Sequence, residues 1–458
     1  MSTTLTQSSV NLFRSKFQGK LILPGDVEYD TARRVFNAAI NKYPSVIAQC
    51  VNTDDVVRAI DFARTNGLII AVRGNGHSVA GHSVCDDGLV IDLSKMKQIN
   101  VEQTTFTARA EPGVNWAEFD AATQEFQLAT PGGAVSCTGI AGLTLGGGIG
   151  WLLGKYGLTC DNLVSVDMVT ADGRLITASD AENPDLFWGL CGGGGNFGVV
   201  TSFEYKLHPV GTVLAGSLRY PLRAALDVLR FFREFGSKAP DELTLAPSIM
   251  MIADDTPVVS IDLCYTGSIS EGEKVLKPMR MFGSPLQDTV VPTSYCRFQQ
   301  EFDNVFSTDH AEGYLSYWKS SFLKDLSDDA IRAIVDSFTE VPSRYTLLVI
   351  EHYHGALHRV SNERTAYSHR DATYNLLIVS NWLSHADSER NIEWTKTFYK
   401  TMEPFCTGTS YVNYLGDEGK AGIEAAYSAE KYSRLSQIKA KYDPDNCFKL
   451  NQNIRVHE

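Results

Sequence analysis

Apolar positions in the first half of the chain follow two periods in turn, one helical and one extended. TDDVVRAIDFARTNG (53–67) carries apolar residues at helical spacing, acids in its first turn and a closing glycine, which predicts a helix with Thr53 as N-cap. The apolar run LIIAVRG directly after it and GLVIDLSKM (88–96) read as buried strands. VNWAEFDAATQEFQ (114–127) returns to the helical period. LVSVDMVTADGRLITAS (163–179) predicts a hairpin turning on Asp172-Gly173, a pair suited to the two positive-φ positions of a tight turn. PDLFWGL (184–190) reads as a short helix opened by proline, and GVVTSFEYKLHPV (198–210) as a long alternating strand.

Past residue 210 the pattern changes. PLRAALDVLRFFREFGS (221–237), SEGEKVLKPMRMFG, SDDAIRAIVDSFTEV (327–341) and SERNIEWTKTFYKTMEPF have one apolar helical face each. TLAPSIMMIADDTPVVSIDLCYTG (244–267), YTLLVIEHYHG (345–355) and TYNLLIVSNW (373–382) read as strands of an antiparallel sheet. The fold class is therefore α+β, with a first region over 1–210, a second domain of one sheet flanked by helices over 211–410, and a polar, aromatic C-terminal segment over 411–458.

Composition changes this picture in one respect. The 458 residues are enough for two or three domains, but 37 are glycine, many of them clustered at 74–81, 132–150 and 192–198. The net charge of −13, without a basic cluster, excludes a general nucleic-acid binder. No apolar run approaches the roughly eighteen residues of a membrane span. The first twenty residues lack a basic stretch followed by an apolar one, so they do not read as a secretory signal. Nine cysteines without CxxC spacing fit a reduced, cytoplasmic protein with mostly buried thiols. His352 and His354 sit two apart on a strand without an evident third ligand, and no metal site is expected.

Glycine loops beside strands let a backbone approach a large flat or phosphorylated ligand, with N–H groups turned toward an anion. AVRGNGHSVAGHSVCDDG (71–88) follows a strand but leads into a turn and another strand, which rules out the strand–turn–helix dinucleotide fingerprint. A Walker A loop is excluded by the absence of GK[ST]. The run GIAGLTLGGGIG in the second cluster holds too many glycines for a stable helix interior, and reads as chain wrapped around a cofactor.

In series, RGNGHSVAG, PGG…TGIAGLTLGGGIG, KYGLTCDN, PDLFWGL…GGGNFGVVT and the C-terminal YDPDNCFKLNQNI resemble the berberine-bridge-enzyme-like branch of the vanillyl-alcohol-oxidase flavoproteins. The likeness runs from about residue 40 to the end, dense over 70–205 and 410–454. It implies an FAD-binding domain made from both chain ends, a central substrate domain, and FAD between them. It also implies a covalent bond from His77 to the flavin, with His82 the weaker rival. Imidazole suits the task because much of it is unprotonated near neutral pH.

On the same basis the cofactor contacts would come from Arg73, Gly74, Asn75, Gly76, Ser78, Gly81 and His82 in the first loop. Pro131, Gly132, Cys137, Thr138, Gly139, Gly142, Leu143, Gly147 and Gly148 would supply the second loop. Asn196, Gly198, Val199, Val200, Asn451 and Asn453 would complete the site. Many members add a second tether from a cysteine placed where this chain has Val135. Cys137 lies two residues later, which argues for a single tether. Thr138 falls at the family's oxygen-gating position, where valine permits oxidase activity. Its near-valine shape favours an oxidase.

Oxidising an alcohol carbon requires a base as the hydride leaves. The resemblance places that base on Tyr411-Val412-Asn413-Tyr414, at Tyr414, whose pKa of about 10 would need lowering by a neighbour. The family's cooperating carboxylate is missing from TYNLLIVSNW, which carries Asn375 and Asn381 instead; Glu351 is the nearest alternative. Trp318 and Lys319 face either flavin or solvent. The expectation is an FAD oxidase of a small alcohol, sugar, amine or natural product, reoxidised by O2 to give H2O2, acting as a monomer or homodimer. A dehydrogenase or desaturase with another acceptor, and a non-catalytic flavin binder, are the competing readings.

Overall fold

In the computed structural model the described residues are 5–306 and 313–456. Near the N-terminus, a four-stranded sheet runs in the order Lys20–Ile22, Val46–Gln49, Leu89–Asp92, Ile70–Arg73. The last three strands are parallel, and the helix Thr53–Thr65 is the crossover that parallel pairing requires. Asn52, rather than Thr53, caps this helix, its side chain accepting from the N–H of Asp55. A five-stranded antiparallel sheet follows, in the order Ile99–Glu102, Thr107–Ala110, Gly198–Lys206, Leu163–Thr170, Leu175–Ser179.

An eight-stranded antiparallel sheet forms the centre of the chain. Its order is Gln287–Asp288, Thr212–Pro221, Pro257–Tyr265, Leu243–Met251, Leu347–His352, Tyr374–Trp382, Leu315–Leu323, with Val291–Ser294 also pairing on Thr212–Pro221. Alternation along the strands gives the two faces different chemistry. Leu245, Ile249, Ile261, Leu348 and Ile378 point to a core shared with the helices Ala225–Gly236, Asp328–Phe338 and Ser388–Met402. The opposite face carries Ser217, Ser248, Asp262 and Glu351, and looks toward the glycine loops.

A second local expectation fails besides the helix cap. Ile140–Gly146, inside the glycine-rich run, is a short helix. Packing overrides propensity here: a Cβ on Gly146 would stand 2.1 Å from Asn413 Oδ1, so only glycine lets the helix lie against the C-terminal segment. Thr144 Oγ1 strengthens the turn with bonds to the Ile140 carbonyl (2.7 Å) and the Tyr205 hydroxyl (2.8 Å).

The C-terminal motif DPDNCF owes its form to a buried ion pair. After the helix Ala429–Tyr442, Asp443 accepts from the N–H groups of Cys447 (2.8 Å) and Phe448 (2.9 Å) and from Lys439 Nζ (2.7 Å). Lys439 also donates to the carbonyls of Phe448 (3.0 Å) and Asn196 (2.7 Å), which ties the tail to the third glycine cluster. Both side chains are fully buried. No helix among the described residues is long and apolar enough to cross a membrane.

Removing one partner strands a charge in the interior, so Asp443→Ala should lower unfolding stability by about 3–5 kcal/mol in a denaturant titration. A loss under about 1 kcal/mol would mean that the clamp contributes little net stability.

Candidate active site

A cavity of about 410 Å³ opens between the glycine loops and the polar face of the eight-stranded sheet. Strand register lays that face out in rows. Glu351 stands opposite Asn375, and Val349 lies between Leu377 and Ser248. Ala246 is opposite Asp262, which is opposite Ser217.

Glu351 is the most constrained group in the cavity. Its Oε1 accepts from the Tyr414 hydroxyl at 2.6 Å; its Oε2 accepts from the Tyr353 hydroxyl and the Asn375 amide, each at 2.9 Å. Burial pushes the carboxyl above its ordinary range, and the three donors offset this only in part. The strand 374–382 carries no carboxylate, and Glu351 stands directly across the ladder from its Asn375. The neighbour that Tyr414 meets is an anion, which raises its pKa where a lowering was expected. Burial, followed by the Glu351 charge, drives its hydroxyl well above the usual phenol range.

Tyr411 has a different task. Its hydroxyl accepts from the Gly148 N–H at 2.8 Å and the Asn413 amide at 2.7 Å, pinning the segment 411–414 to the second glycine loop. Gly147, at φ 131°, leaves no room for a Cβ beside the Tyr367 ring.

His77 lies in the same cavity, its ring stacked on Phe36 with centroids 4.3 Å apart and planes 16° apart. Burial lowers the imidazole to about 4, so it is neutral at pH 7. Cys137 Sγ lies 3.8 Å from His77 Nε2. Its loop is held by Asp303, which accepts from the N–H groups of Ser136 (2.9 Å) and Cys137 (3.2 Å). Trp318 faces the cavity, edge-on to Phe36 and Tyr414, and its buried indole N–H has no hydrogen-bond partner among the described residues. Lys319 points away and pairs with Glu418 at 2.7 Å.

Most of the residues expected to bind the cofactor meet here. Gly74–Ser78 and His82 line the cavity from the first loop, and Thr138, Gly139, Gly142 and Leu143 from the second. Asn196, Gly198–Val200 and Asn451 close it from the third loop and the tail. Gly81, Pro131, Gly132, Cys137, Gly147, Gly148, Asn453 and Arg73 are not part of this lining. Arg73 is buried in an ion pair with Asp92 at 2.8 Å, which ties two parallel strands together beneath the loop. His352 and His354 stack at 4.7 Å, and no group of three or more metal-ligating side chains occurs among the described residues. Sequence reasoning missed Tyr353, Asn375 and Asp262 as parts of the site. Strand alternation alone could have placed them on the face of Glu351, had the register been known.

The loops suit FAD. Among the described residues, the N–H groups of Asn75, Gly76, His77 and Ser78 donate to no backbone oxygen. Among the described residues the lining holds no lysine or arginine, so these amides are the anion-binding groups at hand. A Cβ on Gly142 would meet nothing within 4 Å, leaving open space above the helix Ile140–Gly146.

Comparisons agree with this reading. A family model described as FAD binding domain matches residues 44–179, and one described as berberine and berberine like matches 410–455. An FAD-linked oxidoreductase of Dictyostelium discoideum is 33% identical over 97% of this chain and 96% of its own. The (R)-6-hydroxynicotine oxidase of Paenarthrobacter nicotinovorans is 29% identical over 95% of this chain and 96% of its own. The crystal structure of 6-hydroxy-D-nicotine oxidase from Arthrobacter nicotinovorans superposes with a TM-score of 0.89 at 28% identity, covering 96% of this chain and 98% of that one. The fold and site are those of an FAD-linked oxidoreductase. Within that class, the chain belongs to the berberine-bridge-enzyme-like flavoproteins.

Gly146→Ala should force Asn413 aside and lower stability by about 1–3 kcal/mol, as overpacking does. Thermal unfolding beside Gly142→Ala, whose new methyl meets no protein atom, isolates the effect; equal melting temperatures would refute it.

Proposed function

We propose that this protein is an FAD-dependent oxidase that removes hydride from a C–O or C–N carbon of a small organic substrate, with O2 as the final acceptor and H2O2 as product. The observation that carries the reading is the Tyr414–Glu351 hydrogen bond, 2.6 Å long, inside the glycine-lined cavity. FAD would supply the hydride acceptor, held between a domain built from 1–210 and 411–458 and a substrate domain over 211–410. His77 would hold it covalently, a role its neutral, buried imidazole suits. Thr138, in the cavity lining, is small enough to leave the oxygen path open.

The pair's electrostatics assign the proton steps. Tyr414 keeps its proton at neutral pH because both burial and Glu351 oppose a phenolate. It acts as a relay: its oxygen accepts the substrate proton while its own hydrogen passes to Glu351 Oε1. Glu351 is the terminal base, poised by burial and aligned by Tyr353 and Asn375 through its other oxygen.

Glu351→Gln should slow flavin reduction by substrate about 10²–10⁴-fold, the usual contribution of a general base, with flavin content unchanged in stopped-flow traces. Glu351 works ionised and its pKa is raised, so wild-type rates should fall as pH drops through that value. Tyr414→Phe removes a donor that lowers this pKa and should shift the acid limb to higher pH; an unmoved limb would sink the relay.

Acid precipitation should leave yellow flavin in the pellet and release it from His77→Ala. Flavin still bound in that variant would transfer the attachment to Cys137, 3.8 Å away.

A further inference from the structure

The cavity contains a second carboxylate that the hydride-transfer chemistry does not use. Asp262 lines it from the strand Pro257–Tyr265 and is almost wholly buried. Three serine hydroxyls donate to it. Ser217 (2.6 Å) and Ser260 (2.7 Å) bond Oδ1, and Ser248 (2.8 Å) bonds Oδ2. Each serine has one hydrogen and has given it to Asp262, so the cluster offers the cavity acceptors only. A carboxylate has about four acceptor positions, and these bonds leave one open, on Oδ2.

Among the described residues, the acids of the lining are Asp262 and Glu351, and the lining contains no lysine or arginine. Arg219, the cation whose charge bears on Asp262, is bonded to Gln287 on the edge strand at 3.0 Å. Burial first and Asp262 second push the Glu301 carboxyl up, with Arg219 and Arg297 acting against them. Along the sheet, Ala246 is opposite Asp262, and it lies two residues beyond the Ser248–Val349 pair on the face that Glu351 shares. Two interstrand steps separate the carboxylate strands by about 10 Å, with one methyl group as the floor between them.

We infer that Asp262, with Ser248 beside it, is a subsite for a positively charged nitrogen of the substrate, about 10 Å from the carbon oxidised at Tyr414–Glu351. The inference rests on the oxidase reading for its second pole. The substrate class is an organic cation whose amine is remote from the reacting carbon. A docked cation answers the charge that burial otherwise makes costly at Asp262, and its N–H groups match the open acceptors.

Binding can be tested without turnover, so the result is independent of the redox reaction. Calorimetric titration of the FAD-loaded protein at pH 7.5 would compare 4-phenylbutylamine with the neutral 4-phenylbutan-1-ol. The amine should bind at least tenfold more tightly. Asp262→Asn should erase that preference while leaving the alcohol's affinity unchanged. Equal affinities in the wild type, equal weakening of both ligands in Asp262→Asn, or loss of the preference in Glu351→Gln alone would each overturn the assignment. Should Asp262→Asn not fold, Ala246→Leu serves: it fills the floor between the poles and should weaken the amine at least tenfold. An unchanged affinity there would also overturn the assignment.

Discussion

A carboxylate buried without a cation must be held by neutral donors, and at Glu351 those donors decide how the halves of the molecule fit together. Tyr414 arrives from the returning C-terminal segment, Asn375 from the adjoining strand and Tyr353 from the turn that follows. Misplacing any one of them leaves an acceptor without a partner in a region where water cannot substitute cheaply. Glu351 thus ties the central sheet to the C-terminal segment, beside the Lys319–Glu418 ion pair.

A second constraint is steric and acts from the opposite wall. Gly146, Gly147 and Gly148 bring backbone against Asn413, Tyr367 and Thr159 at distances no side chain could share. The Tyr411 hydroxyl then takes up the Gly148 N–H. The glycine loops therefore do two jobs. The first leaves the N–H groups of residues 75–78 without a backbone acceptor among the described residues, and the second lets the tyrosine segment lie close enough to reach Glu351.

The architecture was legible in the sequence where a periodic pattern extended over a whole element. The hairpins 163–179 and 244–267 and the helices of the central region are where alternation and amphipathicity put them. His77, Tyr414 and Glu351 could be singled out because unusual residues stood in unusual company. The rest was hidden for physical reasons. Register is a long-range property, so the pairing of Glu351 with Asn375 could not be read from either strand alone. Ile140–Gly146 is helical because of what packs on it, against its own propensities. Arg73 looked like a ligand contact because of its neighbours in the chain, yet its partner Asp92 lies on the next strand.

The Lys439–Asp443 clamp has a consequence for biogenesis. Lys439 reaches the carbonyl of Asn196, so the third glycine loop is secured by residues synthesised some 240 positions later. Chains fold from the N-terminus as they emerge from the ribosome, and here the loop waits for a helix made far later in the chain. Until then the sheets can form, but the cradle is open on one side. The third glycine loop is therefore complete only once the helix Ala429–Tyr442 has been made and packed against it.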